Sequence, residues 1–119
     1  MRIAVTDANI FIDLIKLDLL DCMFGLDMEI HTTREVFYQL NAEQSAIAEA
    51  FLHTGELHVY NFSWAELQEI YDLDCPKGLE TADKTVYYYS TKVEAIVLSG
   101  DKKLRTFCLN KKLDVKGIL

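Results

Sequence analysis

Four acids stand where the chain turns from one element into the next. Asp7 closes the apolar run Arg2-Ile-Ala-Val-Thr6, and Asp101 follows Ala95-Ile-Val-Leu-Ser-Gly100. Asp83 lies near the start of a helical pattern over roughly residues 80–93, with Val86, Tyr87 and Ser90 on its own face. Glu35 follows the short run 28–32, with Gln39 one turn further on. Each acid has a plain structural reading. Asp7 and Asp101 can cap helices, Asp83 suits the dipole of a helix start, and Thr32-x-x-Glu35 reads as a capping box. The chemical reading is that the four converge. Three or four carboxylates at one concave edge repel one another, and a divalent cation removes that conflict. Oxygen ligands without histidine suit Mg²⁺ or Mn²⁺ rather than zinc. Such an ion supports phosphodiester hydrolysis by neutralising a phosphate oxygen and lowering the pKa of a bound water.

Convergence requires a fold that brings distant segments to one rim. Runs 2–6, 28–32, 57–62, 95–99 and 114–118 read as strands. Between them lie helical patterns: one or two helices within 9–25, one from near Thr33 that breaks at Asn41, and one from Asn41-x-x-Gln44 to about His53, ended by Gly55. Ser63-x-x-Glu66 opens another. Pro76 and Gly78 mark a loop, and helices over 80–93 and 102–112 follow. Strands alternating with helices imply crossovers, hence a mostly parallel sheet covered on both faces. Ligands of such sheets sit beyond the carboxyl ends of the strands. If the first strand and strand 95–99 are neighbours, Asp7 and Asp101 share one rim.

The remaining features narrow the reading. The 119 residues fit one domain spanning 1–119, and half of them are hydrophobic, enough for a core. No apolar stretch approaches a membrane span and the start lacks a signal-peptide pattern, so the expectation is a cytoplasmic protein with no membrane contact. Cys22, Cys75 and Cys108, odd in number and widely spaced, suit reduced core thiols. His31, His53 and His58 lack ligand spacing on any one helix face and read as surface or core residues. Of Tyr87, Tyr88 and Tyr89, at least one must be core. No Gly-rich phosphate loop or nucleophile elbow occurs. A receiver-type signalling domain would need a second acid beside Asp7, which is absent.

The net charge is −7, but it is unevenly spread. Residues 102–119 hold six basic side chains against Asp114, a net +5, and the other 101 residues carry −12. Lys102, Lys103 and Arg105, beside Asp101, are the candidate phosphate contacts; the alternative is a solvated helix face.

The series V-T-D-A-N-I-F-I-D, T-T-R-E-V-F-Y-Q-L, L-E-T-A-D-K-T-V-Y-Y-Y-S and A-I-V-L-S-G-D-K-K-L-R resembles the PIN-domain family in order and spacing across nearly the whole chain. The resemblance implies a three-layer α/β/α sandwich whose five-stranded parallel sheet has the order 3-2-1-4-5. It also implies Mg²⁺- or Mn²⁺-dependent cleavage of RNA. Many small bacterial members, of VapC type, are toxins held by an antitoxin protein, and many are homodimers. Carried over residue by residue, the family's first acid falls on Asp7, with Asn9 supporting it, and its third and fourth fall on Asp83 and Asp101. The second falls on Gln39, before Leu40, where the family has a glutamate; Glu35 is the nearest acid. The metal set implied is thus Asp7, Asp83 and Asp101, completed by Glu35 or Gln39. Relatives often carry a capping serine at the position of Glu80. The rival to a nuclease is a PIN-like module that binds RNA or protein without cutting.

Overall fold

The computed structural model describes residues 2–117. Its elements in chain order are β1 (Arg2–Thr6), α1 (Ala8–Lys16), α2 (Leu20–Phe24), β2 (Met28–Thr33), α3 (Arg34–Phe37), α4 (Ala42–His53), β3 (Leu57–Tyr60), α5 (Trp64–Tyr71), α6 (Thr81–Val93), β4 (Ile96–Leu98), α7 (Lys102–Asn110) and β5 (Val115–Lys116). The five strands form one sheet in the order β3-β2-β1-β4-β5, with every neighbouring pair parallel. This is the expected α/β architecture with helices on both sides. Of the run expected as a strand over 114–118, only Val115 and Lys116 pair, and Ile118 lies outside the described residues.

The central strands are apolar because both of their faces are covered. Ala4, Val5, Ile96 and Val97 are at most 2 % exposed. On one face α6 packs across β1, β2 and β4, flanked by α5 and α7. It buries Ala82, Thr85, Val86, Tyr89 and Ser90. The other layer holds α1, which packs on α2 and α4, with α4 against β3. Phe11 of α1 is fully buried, and truncating it to alanine is expected to cost about 3–5 kcal/mol.

Local signals set most helix starts. Asn41 and Gln44 close one capping box and Ser63 and Glu66 another, as the spacing predicts. The box expected at Thr32 and Glu35 does not form. β2 runs one residue further, so Thr33 caps α3 by accepting from the Val36 N–H, while the Thr32 hydroxyl donates to the Thr6 carbonyl inside the sheet. α3 is correspondingly short, four residues rather than the run to Asn41. Among the three thiols only Cys108 is buried in the core; Cys22 is at the surface, which corrects its reading as a core thiol. Of the three consecutive tyrosines, Tyr89 is core, Tyr87 meets the Phe107 ring edge-on, and Tyr88 donates to Glu69. Among the described residues no helix is long and apolar enough to cross a membrane.

Candidate active site

β1 and β4 are direct neighbours, with Thr6 in register with Leu98. Their carboxyl ends therefore deliver Asp7 and Asp101 to the same rim, and the first turn of α6, crossing above, brings Asp83. A cleft of about 560 Å³ opens there, lined by Asn9, Gln39, Glu80, Asp83, Asp101 and Lys103 together with Ala8, Ile12 and Gly78.

Asp7 is the most enclosed of the acids at 3 % exposure, beside the cleft rather than on its wall. Its Oδ1 accepts from the Ile10 N–H at 3.0 Å and so caps α1, and its Oδ2 accepts from Ser99 Oγ at 2.5 Å. The capping role and the rim position coexist. Ser99 Oγ also accepts from the Asp101 N–H at 3.0 Å. A single buried hydroxyl thus ties the two strand-end acids together. The family resemblance gives the supporting role to Asn9 and none to Ser99. Asn9 lines the cleft, but the side chain bonded to Asp7 is Ser99. Asp101 caps α7 by accepting from the Lys103 N–H at 3.3 Å, and Asp83 Oδ2 accepts from the Glu80 N–H at 3.3 Å.

Burial and like charge act on the acids of this rim. Burial raises the pKa of Asp7, and the Asp101 charge adds to it, against the opposing bonds from Ser99 and Ile10. Asp83 is pushed up to about 6, first by burial and then by the charges of Asp101, Asp7 and Glu80. The Asp101 charge thus acts on both Asp7 and Asp83, and a divalent ion would relieve that repulsion.

Of Glu35 and Gln39, the alternatives for completing the set, Gln39 is the one on the cleft wall. Glu35 does not line the cleft, and its Oε1 is buried with no hydrogen-bond partner among the described residues. Gln39 does line it, with Nε2 donating to Glu80 Oε2 at 2.6 Å. Glu80, absent from the sequence-derived site, thus supplies the additional carboxylate there. Its only sequence signal is a glutamate at the start of the helix that carries Asp83.

Of the three basic candidates, Lys103 reaches the cleft. Its Nζ passes 2.7 Å from where a Cβ on Gly78 would lie, and Gly78 has φ +98°. The left-handed backbone there favours glycine, and the lysine tip occupies the space a side chain would take. Lys102 lines an adjacent depression with Pro76 and Lys77, and the Arg105 guanidinium lies against Gly117 on the β5 side. The cleft thus combines a carboxylate rim with one cation, a set able to hold a metal ion and steer a phosphate.

No family model matches the chain, and no curated protein matches it. Solved structures do share its fold. One is PAE2754 from Pyrobaculum aerophilum, with a TM-score of 0.63 at 13 % identity over 98 % of this chain and 91 % of that one. A domain of a functionally unknown protein from Methanocaldococcus jannaschii gives 0.60 at 13 % over 100 % and 92 %. FitAcB from Neisseria gonorrhoeae gives 0.52 at 11 % over 94 % and 95 %. At these identities the likeness is one of fold, and it extends over nearly the full length of each chain.

Proposed function

We propose that the chain is a PIN-type ribonuclease that hydrolyses RNA phosphodiester bonds with Mg²⁺ or Mn²⁺. The observation that carries this reading is that Asp83 and Asp101, from distant segments, line one cleft with the buried Asp7 beside it, and the charges of Asp101 and Asp7 help to raise Asp83. The ion would be held by these three, with Glu80 as the added carboxylate in place of the glutamate that Gln39 replaces. Bound there, it would supply an activated water and charge neutralisation for the phosphate. Asp7 would be kept oriented by Ser99 and Ile10, and Lys103 would draw the RNA backbone to the rim despite the net charge of −7. The PIN resemblance extends the proposal to a cytoplasmic toxin restrained by an antitoxin protein, assembling as a homodimer.

The experiment is incubation with RNA and Mn²⁺, using Asp7→Asn as the control. Cleavage by the wild type and none by the variant is the expected result; equal cleavage by both removes this site from consideration. A second reading, a PIN-like module that binds RNA or protein without cutting, is favoured by Gln39 standing where the family glutamate belongs. Mn²⁺ titration separates the two, because a site without catalytic capacity should bind the ion weakly or not at all.

A further inference from the structure

A second cluster of metal-ligating side chains lies away from the acidic rim. Glu29 and His31 are two residues apart on β2 and so share one face of the sheet. His58 of β3 is the parallel-strand partner in register with His31. The two imidazoles stack with centroids 4.7 Å apart and planes 27° from parallel. His31 Nε2 lies 2.9 Å from Glu29 Oε1, and His58 Nε2 lies 3.9 Å from the same oxygen. One donor atom from each residue falls within 4.8 Å of the other two.

We propose that Glu29, His31 and His58 form a second metal site, selective for a borderline divalent transition ion such as Zn²⁺. Two imidazoles and one carboxylate form a donor set suited to zinc, unlike the all-oxygen rim, which suits Mg²⁺ or Mn²⁺. Ligand bonds of about 2.0–2.2 Å put tetrahedral donors roughly 3.3 Å apart. Side-chain rotation closes the difference, since the Glu29 and His58 side chains are each 45 % exposed and able to move. His31 is the fixed member at 13 % exposure, because its Nδ1 lies 2.9 Å from the Tyr89 hydroxyl on α6. With Nδ1–H donating to that hydroxyl, Nε2 presents its lone pair to the ion, the outer-shell arrangement that sets the tautomer of metal-bound histidines. The 2.9 Å contact to Glu29 without the ion fits the Nε2–H tautomer; when the ion binds, the single ring proton sits on Nδ1 and Nε2 is free to ligate. Three protein ligands on a half-exposed surface leave a fourth position to solvent, as in exchangeable rather than closed structural zinc sites.

The two sites are separate. His31 lies two residues and Glu29 four residues before Thr33, the carboxyl end of β2, or about 7 and 13 Å along the strand. The proposal therefore stands independently of any nuclease activity at the rim.

The test is Zn²⁺ titration of the full chain by calorimetry with excess Mg²⁺ present, repeated with Co²⁺ and its visible absorption. Wild type and Asp7→Asn should each bind one equivalent of Zn²⁺, with Co²⁺ giving a tetrahedral spectrum. His58→Ala, at an exposed position that should leave the fold intact by circular dichroism, should lower the affinity at least about 100-fold. Tyr89→Phe keeps the ring but removes the hydroxyl and should lower it about tenfold. Equal Zn²⁺ affinity in wild type and His58→Ala, or no binding by wild type at micromolar concentrations, overturns the proposal. Loss of Zn²⁺ binding in Asp7→Asn alone would place zinc at the rim and overturn it as well.

Discussion

Ser99 Oγ donates to Asp7 Oδ2 at 2.5 Å while accepting from the backbone N–H of Asp101, so one hydroxyl at the end of β4 sets the positions of two acids from neighbouring strands. A residue that aims a ligand without touching the metal characteristically controls affinity. Ser99→Ala should therefore bind Mn²⁺ about 10–100-fold more weakly than wild type. It should also lose stability, because a buried carboxylate loses its donor, at about 1–3 kcal/mol. Isothermal titration with Mn²⁺ and a urea melt check both. Unchanged Mn²⁺ affinity would show that the Ser99 bond is structural only.

Gln39 and Glu80 share a 2.6 Å hydrogen bond across the cleft wall. If Glu80 completes the carboxylate set, Glu80→Gln should lower Mn²⁺ affinity by about 10–100-fold, whereas Glu35→Gln should leave it unchanged. Gln39→Glu should lower the metal-free melting temperature, because it sets two carboxylates against each other, and should enlarge the rise in melting temperature caused by Mn²⁺. Thermal melts with and without Mn²⁺ measure this. A larger loss of affinity from Glu35→Gln than from Glu80→Gln would reverse the assignment.

Asp83 has a defined pH signature. Its pKa is about 6 in the folded protein against 3.8 ordinarily. Between roughly pH 4 and 6 the folded protein holds a proton that the unfolded chain has released, so this group's contribution to stability falls as pH rises through that window. Below it both states are protonated, and above it neither is. Without divalent ions, Asp83→Asn should gain in melting temperature relative to wild type as pH goes from 4 to 7. Saturating Mn²⁺ at pH 7 should narrow that gap. A gap that does not vary with pH would contradict the raised pKa.

Lys103 lines the cleft, whereas Arg105 lies against Gly117. Lys103→Ala should weaken single-stranded RNA binding and reduce the slope of log affinity against log salt by about 0.7. Arg105→Ala should change neither. Fluorescence anisotropy at several salt concentrations decides this, and equal effects from both variants would favour a diffuse basic surface.

Glu94 ends α6 in the left-handed region at φ 54°, with the Ala95 N–H bonded back to the Ser90 carbonyl. A side chain there costs about 1–2 kcal/mol, and glycine avoids most of it. Glu94→Gly should raise stability by about 1 kcal/mol in denaturant melts.

What the sequence determined by itself was local. The continuous apolar runs of β1 and β4, the boxes at Asn41 and Ser63, and the acids at the ends of strands are written in neighbouring residues, because caps and strand burial depend on spacing within a few positions. The pairing of β1 with β4 that joins Asp7 to Asp101 is implied by the family resemblance, not by the residues alone, and the sheet shows it. Tertiary structure decided the rest. β2 extends through Thr33 because Thr33 pairs with Tyr60 and its hydroxyl meets that of Thr85, overriding the Thr32–Glu35 spacing. The Glu80 carboxylate reaches the rim wall through Gln39, forty-one residues away. His31 meets His58 because the register of two parallel strands sets them side by side, which no periodicity along one helix can show. Contacts between elements depend on register and packing, and those exist only once the chain has folded.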